Sequence, residues 1–153
     1  MSELNKVLLT SGLTVVSGTL IYVLGNILVR LFLEPVVELR KVIGETGDAL
    51  IYFANVYTSP IKEGGQASDK QLECMKTLRQ AATRLMGKAY GAPCLWAFAI
   101  FSIVPWRAKI REAHSALIGL SNMVGDRDTR AVNQKRQEVE RALGLFQEES
   151  AKS

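Results

Sequence analysis

Residues 7–29 read VLLTSGLTVVSGTLIYVLGNILV and contain no charged side chain, with Lys6 directly before them and Arg30 directly after them. About 20 consecutive apolar residues in a helix cross the hydrocarbon core of a bilayer, and this stretch has that length. A buried helix of a soluble protein would need apolar partners on every side, which the rest of the chain could hardly supply. We therefore predict a transmembrane helix over residues 7–33, behind a short tail of residues 1–6.

A cleaved signal peptide is the alternative for this stretch, and three features oppose it. The only cation before the apolar run is Lys6, which is opposed by Glu3. The run is too long for the apolar part of a signal peptide, and no small-x-small cleavage site follows it. The helix is therefore expected to remain as an anchor.

The charges beside the predicted span indicate its orientation. Arg30, Arg40 and Lys41 follow the span closely, whereas Lys6 alone precedes it. Lysine and arginine collect on the cytoplasmic side of membrane helices. We expect the N-terminus outside and the rest of the chain in the cytoplasm, at the inner (cytoplasmic) membrane of a bacterium.

One face of the predicted span carries small and hydroxylated residues. Ser11, Gly18 and Gly25 recur every seven residues, the period at which paired helices meet along a left-handed seam. At about 100° per residue, one arc of the helical wheel holds most of the small and hydroxylated residues. We predict that five of them lie at a helix–helix contact or line a pore in a homo-oligomer: Ser11, Thr14, Ser17, Gly18 and Gly25.

The remaining chain has the apolar periodicity of helices, and no stretch alternates as a half-buried strand would. The fold class is therefore all-α, an N-terminal transmembrane helix followed by an antiparallel cytoplasmic bundle of about four or five helices over residues 34–149. Ser68 and Gln71 form a capping-box pattern at one helix start, and Asp126 or Asp128 can cap the last helix. Residues 150–153 are expected to fray.

Residues 92–104, APCLWAFAIFSIV, form a second apolar stretch that is too short for an ordinary span. Pro93 and Pro105 bracket it, and basic residues flank both of its ends. Two interpretations stay open, a buried central helix of the domain and an interfacial or re-entrant segment. Trp96 and Trp106 fit both, because an indole favours partly buried sites and also the membrane interface. With Arg30 they are the candidate membrane-interface residues.

Composition excludes several classes of site. Cys74 and Cys94 have no metal-ligand spacing, and His114 is the only histidine, so neither a metal site nor a cofactor is expected. The chain has no Gly-rich phosphate loop, nucleophile elbow or supported carboxylate pair. We therefore predict that the protein is not an enzyme. Its net charge of +4 suits a domain held near anionic lipid.

A basic cluster with the single histidine lies in residues 105–122, PWRAKIREAHSALIGLSN. Lys109, Arg111 and His114 are weak catalytic candidates, because a histidine beside cations could act as a base near phosphate. The spacing from Lys109 to His114 is similar to the Arg-x4-His motif of HEPN helical nucleases, with Lys where that motif has Arg. The change matters because a guanidinium and an ammonium bind phosphate differently.

One span followed by a HEPN-like bundle resembles the pore-forming membrane accessory proteins of type VI CRISPR systems, and small bacterial anchored bundles in general. The resemblance rests on domain order and on Lys109 with His114. It implies a self-assembling, pore-forming or membrane-disrupting effector in bacterial defence. The alternatives are an anchor or scaffold that recruits a cytoplasmic protein partner, and a membrane-tethered HEPN-like domain that binds or cleaves RNA. Nucleic acid is the less favoured partner.

Overall fold

The computed structural model describes residues 3–61, 65–92 and 95–145. The described chain is helical with no strand, as the sequence predicts. Its helices are α1 (Glu3–Leu28), α2 (Glu34–Tyr52), α3 (Ala54–Tyr57), α4 (Asp69–Gly91), α5 (Leu95–Ile100), α6 (Arg107–Asn122) and α7 (Thr129–Leu143). Cys94 and the predicted tail 150–153 lie outside the described residues, as does residue 148, the end that the sequence pattern predicts for a last helix from Thr129.

The helix α1 begins at Glu3, inside the predicted tail, and continues into α2 through a π-helical segment, Val29–Leu33. In that segment the Glu34 N–H donates to the Val29 carbonyl, five residues back. Pro35 explains the wider turn, because proline has no N–H and its ring crowds the carbonyl four residues before it. The helices α1 and α2 thus form one nearly continuous rod.

The helices of the domain begin and end at local signals. Ser68 accepts from the Gln71 N–H and the Gln71 side chain accepts from the Ser68 N–H, which confirms the capping box. Asp128 caps α7 by accepting from the N–H groups of Arg130 and Ala131. The sequence therefore located both helix starts.

Two helix ends differ from the sequence predictions. The apolar periodicity from Val36 predicts a first domain helix that runs to about Tyr57, but α2 ends at Tyr52 and a turn at Phe53 separates it from α3. The buried Tyr57 hydroxyl donates to the Leu50 carbonyl over 3.0 Å, which ties α3 back onto the end of α2. The pattern that begins at the Ser68 capping box predicts a helix that ends at about Lys88, whereas α4 continues to Gly91.

The core lies inside the domain, between α2, α4, α6 and α7, with additions from α3 and the 92–104 segment. Its fully buried large side chains are Leu39, Leu50, Tyr57, Leu78, Leu85, Leu95, Ile110, Leu117, Leu120, Val132 and Val139. None of the described α1 side chains belongs to it. The chain therefore divides into a packed helical domain and a bare helix.

The contacts between α2 and α4 show that the two helices run in opposite directions. Arg84 and Lys88 of α4 meet Glu45 and Glu38 of α2 in that order, so later residues of α4 meet earlier residues of α2. Lys88 bonds and attracts the Glu38 carboxylate, which lowers the pKa of Glu38. The end of α4 therefore lies beside the start of α2, next to the π segment.

The helices α4 and α6 also run in opposite directions. Arg107, at the start of α6, donates to the Ala92 carbonyl over 3.0 Å, just after α4. At the far end Arg79 donates to Ser121 over 3.2 Å and to Asn122 over 2.9 Å. The 92–106 connection is thus held at the end of the domain where α1 joins it.

The described part of the 92–104 segment is not the buried central helix that one interpretation expected. Among its described residues only α5 is helical, and α5 ends in a Schellman motif, with the Ser102 N–H donating to the Ala99 carbonyl and the Ile103 N–H to the Phe98 carbonyl. Ser102 adopts φ 55°, the left-handed conformation that glycine usually supplies at this position. Leu95, Ala99 and Val104 are buried and anchor the segment, while its other face is exposed.

Candidate functional site

The largest exposed apolar surface belongs to α1 and the π segment. Within the helix that includes Thr10–Tyr52, the most apolar 18-residue window has a mean hydropathy of 1.8 and no buried residue. By length and composition this helix could cross a membrane. Its exposed large side chains are Val7, Leu13, Val15, Val16, Leu20, Ile21, Tyr22, Val23, Leu24, Ile27, Leu28, Val29, Leu31 and Leu33. If these side chains stayed in water, the protein would lose on the order of 10–20 kcal/mol of the free energy that their burial provides.

The distance between the charges that flank this surface matches a bilayer. At 1.5 Å per residue, Lys6 and Arg30 lie about 36 Å apart along the helix. A hydrocarbon core is about 30 Å thick, and long basic side chains can reach outward from its edges. The exposed Arg30 lies in the π segment, which would place that segment at the membrane surface.

The hydroxyls of the small-residue face bond to their own helix. Thr14 donates to the Thr10 carbonyl over 2.9 Å and Ser17 to the Leu13 carbonyl over 2.7 Å, in each case one turn back. These hydroxyls are therefore satisfied in a single chain and do not require a partner. Ser11, also predicted at the contact, is exposed.

The glycines of the same face leave the backbone uncovered. A Cβ added at Gly18 or Gly25 would meet nothing within 4 Å. A second helix could therefore approach closely there, which is what glycine permits at membrane helix contacts. Gly12 is equally open but lies about 120–140° around the helix from Gly18 and Gly25. The described α1 thus offers a close-approach face at its glycines rather than at its hydroxyls.

A second exposed apolar surface lies on the 92–106 connection, and we call it the apolar turn. Its exposed side chains are Trp96, Ile100, Phe101, Ile103 and Trp106, with Phe101 exposed to 77% and Trp96 to 61%. The sequence pattern indicates both tryptophans but not the three exposed residues between them. The exposure of those three depends on which face of a short helix packs inward, and a stretch that is apolar on all sides does not show which face that is.

The basic cluster of α6 is divided between two sides of the helix. Lys109 pairs with Glu112 over 2.8 Å and lines a cleft toward α2 and α7. Arg107 and Arg111 line a small cavity of about 60 Å³ on the α4 side, and the partly buried His114 lines neither space. Lys109 and Arg111 therefore line different spaces of the domain.

A cleft that the sequence does not predict lies beside Lys109. It has a volume of about 540 Å³, and Arg40 from α2 and Arg141 from α7 line it with Lys109. Arg40 and Arg141 make no ion pair within the described residues. Trp106 and Ile103 of the apolar turn line the same cleft. We call this space the cationic cleft. Because its three cations come from three different helices, no local sequence motif predicts the cleft.

Cys74 does not have the environment of a reactive thiol. It is fully buried, and burial raises the pKa of the thiol to about 11. Reactive cysteines instead have a pKa near or below neutral and partial exposure. Among the described residues no group of acidic, histidine and cysteine side chains could hold a metal ion.

We expect Cys74 in a full-length Cys94→Ser background to resist iodoacetamide under native conditions at pH 8. With a pKa of about 11, roughly one thiol in a thousand is ionised at that pH, against about a quarter for an ordinary cysteine. Labelling followed by intact mass should therefore be at least about a hundredfold slower than for free cysteine. Denaturation in SDS should restore full labelling, and rapid native labelling would contradict the buried position.

Comparison with known proteins finds no matching family model, no matching curated protein and no matching solved structure.

Proposed function

We propose that the protein is a self-assembling, single-pass membrane protein whose span associates with copies of itself and whose helical domain faces the cytoplasm. The observation that carries this proposal is the bare apolar α1. Its 18-residue window contains no buried residue, so the described part of the chain provides no cover for it. Lipid and a second copy of the helix are the two surfaces that can cover it.

The architecture of the domain is consistent with a role in assembly. We infer that α2, α4, α6 and α7 form an antiparallel four-helix bundle. The contacts of α4 with α2 and with α6 join the end of one helix to the start of the other, and Lys109 at the start of α6 lines the same cleft as Arg141 at the end of α7. Such a bundle is a compact body carried on a rigid connection through the π segment. Copies joined along their spans would then hold their domains in a ring or cluster at the membrane surface.

The function we favour for this assembly is a pore or membrane-disrupting effector in the bacterial inner membrane. In it the face with Ser11, Thr14, Ser17, Gly18 and Gly25 lies at the helix contact or the lumen. Hydroxyls that bond to their own helix still present oxygen lone pairs, which can accept from water in a lumen. The resemblance to membrane accessory proteins of CRISPR systems is consistent with this role.

Two measurements on the full-length chain test the proposal. Alkaline carbonate extraction should leave a tagged chain in the membrane fraction, because a spanning helix is not removed by high pH. Native mass spectrometry of the detergent-purified protein should then give one discrete oligomer. Release into the carbonate supernatant would overturn the anchor, and a single-chain mass at all protein concentrations would overturn the assembly.

The runner-up function is a scaffold that recruits a cytoplasmic protein through the charged α7. Its charges already have partners within the helix, since Lys135 pairs with Glu138 over 2.6 Å and Arg136 with Glu140 over 3.4 Å. This leaves fewer free charges for a partner. A membrane-tethered RNA-binding domain is less favoured, because Lys109 and Arg111 line different spaces and His114 lines neither of them.

A further inference from the structure

The apolar turn and the cationic cleft lie together at the end of the domain where the span leaves it. Lys88 of α4 pairs with Glu38 of α2, and α4 continues only to Gly91. Three residues of helix add about 4.5 Å in the direction of the span. The chain therefore enters the 92–106 connection at about the level of Pro35, directly below the π segment.

The exposed side chains of the apolar turn have the composition of a membrane-interface segment. Trp96 and Trp106 bring indole N–H groups beside large apolar surfaces, and Ile100, Phe101 and Ile103 lie between them. Tryptophan collects at the level of the lipid headgroups, where its ring is partly covered and its N–H is hydrated. Five such side chains grouped on one exposed turn would be covered by the bilayer, because an anchor whose inner edge lies at Arg30 brings the membrane surface close to the turn.

The positive charge beside the apolar turn favours anionic lipid over neutral lipid. Arg40, Lys109 and Arg141 line the cationic cleft, whose wall includes Trp106 and Ile103. Lys109 is bonded to Glu112, while Arg40 and Arg141 make no ion pair within the described residues. A headgroup phosphate is the anion that a bilayer presents beside a partly inserted tryptophan, and arginine binds it with two parallel hydrogen bonds.

We propose that this end of the domain docks on anionic phospholipid, with the apolar turn entering the interface and Arg40, Lys109 and Arg141 holding headgroup phosphates in the cationic cleft. The proposal rests on the proposed anchor, which brings the domain to the bilayer. It adds a second attachment point that fixes the tilt of the domain. Neighbouring copies docked in this way would present the same sides to one another.

The chain is well suited to a fluorescence test, because Trp96 and Trp106 are its only two tryptophans. The full-length protein is placed in nanodiscs of phosphatidylcholine alone or with phosphatidylglycerol, each with and without bromine on the acyl chains. Bromine quenches an indole only on contact. We expect quenching in both bilayers and deeper quenching with phosphatidylglycerol, and the single variants Trp96→Phe and Trp106→Phe should each keep part of it.

Replacing the two arginines of the cationic cleft tests whether the cleft binds anionic lipid. Each basic side chain at an anionic surface changes the ratio of docked to undocked protein about fivefold, so Arg40→Gln with Arg141→Gln should lower it about 25-fold in phosphatidylglycerol. The matched control removes two exposed cations at the far end of the domain, Lys70→Gln with Arg130→Gln, and should leave quenching unchanged. Far-UV circular dichroism checks that both variants fold.

The outcomes separate docking from anchoring. Loss of the protein from the nanodiscs on an alkaline wash overturns both the anchor and the docking. Retention with unquenched tryptophans overturns docking alone and leaves the anchor in place. Equal quenching with and without phosphatidylglycerol, or equal effects of the two cation variants, overturns the choice of anionic lipid. Competition by inorganic phosphate at constant ionic strength would assign the cleft to a soluble anion instead.

Discussion

Replacing Gly18 and Gly25 together with leucine is expected to reduce the detergent-purified protein from a discrete oligomer to single chains. Two isobutyl groups on the close-approach face would hold a second helix away from the backbone contact that glycine permits. We expect the dissociation constant to rise more than about tenfold, equivalent to about 1.4 kcal/mol. Native mass spectrometry of the full-length chain over a dilution series measures the change directly.

The monomer should tolerate this double substitution, which makes its result interpretable. Nothing lies within 4 Å of an added Cβ at either position, and leucine favours both the helix and the bilayer. Gly12→Leu is the matched control, because Gly12 is as open but lies on another side of the helix. Carbonate extraction should be unchanged for both variants. An oligomer mass that survives the double substitution would refute self-association along this face.

The hydroxyls of the same face are expected to matter less than its glycines. Thr14 and Ser17 donate to carbonyls of their own helix, so a partner helix would gain little from their protons. The sequence could not show this, because a hydroxyl in a membrane helix can bond within its helix or across a contact. The sequence predicts this face only as a pattern, while the hydrogen bonds of Thr14 and Ser17 distinguish its hydroxyls from its glycines.

Local signals made much of the fold predictable. A charge-free run of 23 residues, 7–29, predicts the long apolar helix because helix length and bilayer thickness are both fixed quantities. The caps at Ser68 and Asp128 were predictable because a capping side chain bonds within three residues of itself. Each of these predictions needs only neighbours along the chain.

Features that depend on packing were not predictable. The break at Phe53 follows from Tyr57 folding back onto Leu50, and neither glycine nor proline marks it. The cationic cleft joins Arg40 to Arg141, which lie about a hundred residues apart in sequence. The exposure of the apolar turn depends on Leu95 and Ala99 taking the inward face of α5. Periodicity cannot choose a face when every position is apolar.

Leu78→Ala is expected to melt the domain at a much lower temperature while leaving the anchor in the membrane. Leu78 lies in α4, the helix that packs on both α2 and α6, and its side chain is fully buried. Truncating a buried leucine to alanine costs about 2–5 kcal/mol, because it removes apolar burial and leaves a cavity. Domains are stable by only about 5–15 kcal/mol, so the loss is a large part of the total.

Far-UV circular dichroism of the full-length protein in nanodiscs measures this effect, with an expected fall in the domain Tm of about 10–20 °C. Leu72→Ala is the matched control, because Leu72 lies in the same helix but is exposed to 53% and should shift the Tm by little. The bare α1 shares no core with Leu78, so its helical signal should persist above the transition and carbonate extraction should be unchanged. Equal shifts for the two leucine variants would contradict the core position of Leu78. Simultaneous loss of all helical signal would instead mean that the span and the domain unfold as one unit.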